Sequence, residues 1–314
     1  MNLPKNALPN ARPVHRYLES LACPYCKENM VWGQSSSLTC CGCKRTYEVV
    51  GNIPILLPFS LLKGRAWQRW KNLDERYERF YRRWSKERHL SARRVYDAFY
   101  EWCGIGESQN LSVLDIGGAN GIHRLIYWNY PEMIDYFNLD PRIHVLHPYH
   151  MELYPSEREL SFPYIVGVGE WLPFKPNTFD VCVTTAAVDH FSNPIDVFHE
   201  IFRCLKPGKS LYIMAMKLGA LPNAETTKGL MVRMSDYYHE HGFLATAKKL
   251  GGRMGLVPRL IKPRIRDAHT QHFSSPKELT DLLYMFKVTR TKEVSEVGRT
   301  LFFVECRKEQ WHLP

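Results

Sequence analysis

From about residue 110 onward the chain alternates short apolar stretches with segments of helical period. The apolar stretches are Ser112–Ile116, Tyr136–Leu139, Tyr164–Val168, Phe179–Thr184 and Ser210–Ala215. Strands alternating with helices predict a parallel sheet covered by helices on both faces. Two closing strands are expected at Lys287–Val294 and Thr300–Cys306, joined by a short turn at Glu296–Arg299. Upstream the period changes. Trp67, Trp70, Tyr77, Phe80, Tyr81 and Trp84 recur at helical spacing with Arg and Lys between them, and a second helix is expected over Ala92–Trp102, stopping at Gly104. Lys217 to His272 has helical composition and is too long for a plain loop.

These patterns divide the chain into an irregular Pro- and Asn-rich stretch (1–19), a Cys-rich module (20–59), a basic aromatic helical segment (60–105) and an α/β domain (106–310) with a helical insert at 217–272. The length of 314 residues suits one large domain plus a small one. Hydrophobic residues at 45% and charged residues at 24% fit a globular chain with a sizeable core. The N-terminal stretch has no apolar region of the secretory kind. The longest apolar run, Ile53 to Leu62, is broken by Pro54 and Pro58 and is too short to span a bilayer. A cytoplasmic protein is therefore expected, in which paired cysteines hold a metal rather than form disulfides.

The net charge of +10 is unevenly spread. Lys63–Arg94 holds twelve Lys/Arg against four Asp/Glu, and Lys217–His272 holds ten against four. Two basic segments on a mildly acidic body suit an anionic partner or substrate, or else solvated helix faces.

Four cysteines carry a specific spacing. Cys23 and Cys26 form one C-x2-C pair, thirteen residues follow, and Cys40 and Cys43 form the second. Two such turns offer four thiolates to one tetrahedral ion, the pattern of a closed structural zinc site that does no chemistry itself. Cys41 is a surplus thiol, and Cys41/Cys43 stays open as the second pair.

The segment LSVLDIGGANG is a strand running into a turn with Asp115, Gly117, Gly118, Ala119 and Gly121, followed by helical residues. Small residues let the backbone bend sharply and approach a ligand. Asp140 ends the next strand 19 residues after Gly121, where a carboxylate can accept from a ribose diol. Further on stand Leu172-Pro173-Phe174, Phe179-Asp180 opening the fourth strand, and Leu205-Lys206-Pro207-Gly208 closing a helix before the fifth. In this order the motifs resemble a class I S-adenosylmethionine-dependent methyltransferase of the type 11 kind. A nicotinamide-dinucleotide fingerprint accounts for none of the later three.

That resemblance implies a Rossmann-like doubly wound sheet of seven strands with an antiparallel last strand. It implies S-adenosylmethionine as cofactor, with Asp115 and the Gly117–Gly121 backbone at its methionine end and Asp140 on the ribose. Val168, Gly169 and Glu170 would lie along the adenine, and Thr184 would line the same site. Family members often carry Asp where this chain has Val168. A backbone carbonyl, Glu170 or apolar contact must then serve the adenine.

Methyl transfer needs an aligned nucleophile and sometimes a base. After the fourth strand, His190 is the candidate base, beside Asp189. A packing role is the competing one. Ala186 replaces the first acid of a metal-binding Glu-x-x-Glu-His, so no such site is expected there. Asn193 begins NPID, which lacks the aromatic of the base-directed amino methylases, and Cys182 lies within a strand. His239, His241, His269, His272, Tyr237 and Tyr238 fall in or beside the insert, which in this family commonly covers the substrate pocket.

The Cys-rich stretch (LACPYC, LTCCGC, then YEVVGNIPILL) also resembles the zinc-ribbon activator subunit shared by several RNA and protein methyltransferases. It is expected to pack in cis near the catalytic domain. The reading that follows is methyl transfer to an O or N atom of a small-molecule, lipid or glycan-type acceptor. One alternative is an RNA methyltransferase whose zinc module and basic helices bind nucleic acid. The other is a non-catalytic protein that keeps the cofactor fold.

Overall fold

A computed structural model describes residues 11–33, 36–58, 86–104, 110–119, 121, 123, 134–141, 162–217, 273–296 and 299–309. The aromatic stretch from Trp67 to Trp84 and the insert with its histidines and tyrosines lie outside the described residues.

Eleven strands are described: β1 (Met30–Trp32), β2 (Ser37–Cys40), β3 (Thr46–Val50), β4 (Ile53–Pro54), β5 (Leu111–Ile116), β6 (Ile134–Asp140), β7 (Tyr164–Val166), β8 (Phe179–Thr185), β9 (Leu205–Met216), β10 (Lys287–Glu296) and β11 (Arg299–Arg307). The helices are α1 (Lys86–Cys103), α2 (Pro194–Cys204) and the short α3 (Pro276–Thr280). The main sheet has seven strands in the order β10-β11-β9-β8-β5-β6-β7. β5 through β9 pair in parallel, while β11 runs antiparallel to both β9 and β10. This is the expected Rossmann-like sheet with its antiparallel strand.

Period-2 alternation assigns the two faces. Leu114, Ile116, Phe137, Leu139, Cys182, Ile213 and Phe302 join one buried cluster with Val197, Phe198 and Ile201 of α2. Val113, Tyr136, Val181, Val183, Met214 and Phe303 join the other with Val95 and Phe99 of α1. A side chain the size of Phe99, wholly buried against the edge of Phe303, is worth about 1.5–3 kcal/mol over its exposed state. Gly104, with a φ of 61°, ends α1 by donating its amide to the Tyr100 and Glu101 carbonyls. That agrees with the predicted stop.

Two boundaries differ from expectation. β7 ends at Val166, and Val168 instead precedes a short 3-10 turn over Gly169–Trp171. Leu205–Gly208 does not close the helix. α2 ends at Cys204 and the Lys-Pro-Gly residues open β9, whose register against β8 shifts there. Pro207 cannot continue the helix, and charge ties the residues around it to β8. Lys206 and Lys209 reach back to Asp180 at 2.8 and 3.2 Å, and the Ser112 amide donates to the same carboxylate. Burial opposes charge on Asp180, but those donors outweigh it and hold its carboxyl below the ordinary value.

The N-terminal module is a four-stranded antiparallel sheet in the order β1-β2-β3-β4. It is fused to the main domain along two seams. Ile55 pairs in parallel with Val166, and the Leu56 amide donates to the Val166 carbonyl at 2.7 Å, so the chain leaving β4 adds to the free edge of β7. Leu21 pairs antiparallel with Phe174, with Ala22 donating to Pro173 and Lys175 to Ser20. Leu21, Met30, Leu38, Tyr47 and Leu56 belong to the same buried cluster as α2. The module therefore covers part of one sheet face, opposite α1.

Candidate functional site

The strand order reverses at β5, between β6 and β8, and the crevice outside the carboxyl ends of such strands is where ligands bind in open α/β sheets. Both sequence-predicted acids stand there: Asp115 one residue from the end of β5, Asp140 at the end of β6.

The turn after β5 is built to stay open. Gly117 has a φ of 77° and Gly121 of 74°, values at which side-chain-bearing residues are strained. A Cβ on Gly117 would stand 2.5 Å from the Ala187 Cβ, and one on Gly121 2.5 Å from the Phe162 ring. Gly118 lies between them. Ala119 sits at a φ of 49° despite its Cβ. Its amide donates to Asp140 Oδ2 at 3.1 Å, and its carbonyl accepts from Asn138 Nδ2 and the Tyr164 hydroxyl at 3.1 and 2.6 Å. Ala186, just after β8, is also left-handed, at 51°. Each such alanine costs about 1–2 kcal/mol of local strain, which surrounding bonds must offset.

Asp115 is wholly buried. Its Oδ2 accepts from the Tyr136 hydroxyl at 2.5 Å and lies 3.4 Å from His123 Nδ1. Its Oδ1 has no hydrogen-bond partner among the described residues. A buried carboxylate oxygen left this way is costly unless a donor arrives. An unsatisfied acid beside a glycine cradle fits an amino-acid-bearing cofactor such as S-adenosylmethionine.

Val168 packs into the α1-side cluster, and Gly169 leaves no room for a Cβ, which would meet Val197 at 2.9 Å. Glu170 is engaged elsewhere. Its Oε1 accepts from the Ser192 and Asn193 amides at 2.8 and 3.3 Å, tying the 3-10 turn to the start of α2. Thr184 is buried within β8, and its Oγ1 has no hydrogen-bond partner among the described residues. His190 ends a 3-10 turn over Val188–His190, half-buried, with Asp189 wholly buried beside it. Cys182 lies inside β8, where burial pushes its thiol well up, as suits a packing cysteine.

The four cysteine sulfurs of Cys23, Cys26, Cys40 and Cys43 lie within 4.8 Å of one another. Cys23 and Cys43 are 3.6 Å apart, Cys26 and Cys40 3.3 Å. Such spacings suit four thiolates about 2.3 Å from a common centre. Each pair sits on the same turn. Lys27 and Lys44, one residue past each pair, have φ of 63° and 61° and donate to the Cys23 and Cys40 carbonyls. Cys40 belongs to this group, whereas Cys41 is exposed and outside it. Burial opposes the Cys43 thiolate, but donors from Arg45 outweigh it and pull its thiol down to about 6. Burial, aided by Cys26, pushes Cys40 up to about 12. The donor set fits a tetrahedral zinc ion.

Lys27 connects the two sites. Its Nζ donates to Glu200 Oε2 at 2.5 Å and to the Leu172 carbonyl at 3.2 Å, while Tyr25 lies edge-on to Trp171 at 5.4 Å. The first cysteine turn thus holds the back of the 168–174 segment.

His123, Tyr136, Asn138, Tyr164 and Thr185 also stand at the site, and none of them belongs to a motif that marks it in the sequence. One signal was available. Asn138 is a polar residue in the otherwise apolar Tyr-Phe-Asn-Leu, and a wholly buried amide needs a partner.

Residues 114–213 match the family described as methyltransferase domain. The biotin biosynthesis bifunctional protein BioHC of Teredinibacter turnerae is 31% identical over 126 residues, covering 37% of this chain and 21% of that protein. The ubiquinone/menaquinone biosynthesis C-methyltransferase UbiE of a Ruegeria species is 37% identical over 60 residues, covering 19% of this chain and 23% of that protein. The chain thus matches less than a quarter of the length of each curated relative. Among solved structures, a SAM-dependent methyltransferase of Thermotoga maritima aligns with a TM-score of 0.42 at 17% identity, covering 78% of this chain and all of that one. Residues 114–213, the part that matches, run from β5 into β9 of the seven-stranded sheet. No described helix is long and apolar enough to cross a membrane.

Proposed function

We propose that this protein is an S-adenosylmethionine-dependent methyltransferase acting on an O or N atom of a small-molecule, lipid or glycan-type acceptor. The observation that carries the reading is the pair of buried acids around the strained turn: Asp115, whose Oδ1 has no partner among the described residues, and Asp140 bonded to Ala119. When bound, the cofactor supplies an electrophilic methyl on a sulfonium. Asp115 and the 117–121 backbone would hold its amino-acid end, and Asp140 its ribose. Val168 and the Gly169 backbone would face the adenine through apolar and main-chain contact, since the Glu170 oxygen already accepts from α2. Thr184 would back the pocket from β8. His190 would serve as the base, taking a proton from the acceptor as it attacks the methyl group.

The zinc ribbon acts in cis as a clamp. Its first turn grips Leu172 and Glu200, and its exit strand adds to β7, so it stiffens the 166–174 segment from behind. Those contacts spend one face of the ribbon on the catalytic domain and favour a scaffold over a nucleic-acid reader.

The deciding experiment supplies the protein with methyl-tritiated S-adenosylmethionine and a cell extract split into a small-molecule and lipid fraction and an RNA fraction. Label in the first fraction is the expected result. Label confined to RNA would establish the RNA reading instead. Absence of S-adenosylhomocysteine binding by calorimetry would leave only a cofactor-fold protein without the activity.

A further inference from the structure

His123 lies two residues beyond Gly121 and is 7% exposed. Its ring packs against Tyr96 and Tyr100 of α1, with centroids 4.7 and 5.5 Å away. Three elements converge on its Nδ1: Asp115 Oδ2 of β5 at 3.4 Å, the Tyr100 hydroxyl of α1 at 3.3 Å and Thr185 Oγ1 of β8 at 3.4 Å.

A carboxylate oxygen beside a ring nitrogen is favourable only when that nitrogen carries the proton, because a bare lone pair would face a negative charge. The Nδ1–H tautomer suits all three neighbours, because the Tyr100 and Thr185 hydroxyls can accept from it as the carboxylate can, whereas a bare Nδ1 could take a proton from either hydroxyl but would face the carboxylate. Asp115 Oδ2 is then held from two sides, by Tyr136 at 2.5 Å and by His123. Turning the carboxylate would break the Tyr136 bond and carry Oδ2 away from His123. Its other oxygen, Oδ1, remains the buried acceptor without a partner among the described residues.

We infer that His123 is a positioning residue that fixes the Asp115 carboxylate so that Oδ1 is presented to the ammonium group of an amino-acid-bearing cofactor, and that Tyr100 ties this orientation to α1. The inference rests on the cofactor reading above and adds a residue and a contact to it. The competing role is plain packing, in which the ring fills space between α1 and β5.

Two ligands separate these roles. S-adenosylhomocysteine carries the ammonium, whereas 5′-methylthioadenosine shares the adenosine and thioether but lacks the amino-acid part. In His123→Phe, which keeps a ring against Tyr96, S-adenosylhomocysteine affinity is expected to fall about tenfold or more, the scale of a lost charged hydrogen bond. Methylthioadenosine affinity is expected to change less than about twofold. His123→Asn places an amide near the Nδ1 position and is expected to recover most of the loss. His123→Gln, whose amide reaches toward the Nε2 position, is not. Tyr100→Phe is expected to weaken S-adenosylhomocysteine alone, by about threefold. Equal losses for both ligands, or equal affinities of the Asn and Gln variants, would assign His123 to packing and overturn the inference. Should the Phe variant not fold, the Asn and Gln pair makes the same comparison. If the unaltered protein binds neither ligand, the cofactor reading is wrong and this inference falls with it.

Discussion

Asp140 accepts the Ala119 amide at 3.1 Å, so the acid at the end of β6 also anchors the turn at the end of β5. The bond spans 21 residues of sequence and joins the two acids' strands across the crevice. Asp140 thus has a role before any ligand binds, and removing it should act on both fold and affinity. Asp140→Ala is expected to lower stability by about 1–2 kcal/mol and S-adenosylhomocysteine affinity by at least about tenfold. Asp140→Asn keeps an acceptor for the amide and is expected to restore the melting temperature but not the affinity. Calorimetry and thermal melts on the two variants check this, and loss of affinity in neither would remove Asp140 from the site.

Gly121 faces a double constraint, its φ of 74° and the Phe162 ring. Gly121→Ala is expected to cost about 1–3 kcal/mol. Adding Phe162→Leu should relieve the steric part and leave the backbone part, so the double variant is expected to melt between the single variant and the parent. A Gly121→Ala protein as stable as the parent would mean that the turn relaxes, and the cradle would not be rigid.

Much of this arrangement was legible in the sequence, and the reasons are local. Asp115 and Asp140 follow runs of apolar residues and precede glycine or proline, so their places at strand ends can be read directly. The same holds for Cys23, Cys26 and Cys43, whose spacing is a chain-geometry constraint. The same spacing favoured Cys40, which repeats the C-x2-C of the first pair, but only the structure shows Cys41 exposed and outside the group. Nor could sequence reveal that Glu170 accepts from Ser192 and Asn193, twenty-two and twenty-three residues away. Lys206 and Lys209 look like helix-end charges, yet they lie in β9 and pair with Asp180 of β8. His123 was hidden for the same reason. Its partners come from α1, β5 and β8, and only the packed fold brings them together.

Glu200 provides a pH test of the clamp between module and domain. Burial alone would raise its carboxyl, but Arg203 and Lys27 outweigh burial and hold it below the ordinary 4.5. A depressed folded value means the charged form stabilises the fold. That contribution is complete above about 4.5, the unfolded range, and is lost as pH falls through the lower folded value. Glu200→Gln is therefore expected to be less stable than the parent near pH 7, by about 1–2 kcal/mol. The two melting temperatures should converge below the ordinary carboxylate range. A gap that stays constant down to strongly acid pH would show that the Lys27–Glu200 contact carries no charge-dependent stability.

Metal removal should act on both halves of the molecule, because the first cysteine turn touches the ribbon sulfurs on one side and the 171–174 segment on the other. Lys27, one residue past Cys26, bonds Leu172 and Glu200, and Tyr25, between the two cysteines, meets Trp171. A zinc ion held by the four thiolates would fix this turn, and its loss should release Lys27 and Tyr25 together. Native mass spectrometry is expected to find one zinc per chain, retained in Cys41→Ser and lost in Cys26→Ser. The zinc-free protein should melt at lower temperature and bind S-adenosylhomocysteine and 5′-methylthioadenosine several-fold more weakly, in equal proportion. Both ligands should suffer on the proposed reading, in which residues 168–170, next to the segment the turn holds, face the adenine, whereas the His123 variants should spare methylthioadenosine. Zinc-free protein with unchanged melting and unchanged affinity would separate the ribbon from the cofactor site and leave it a tethered neighbour rather than a clamp.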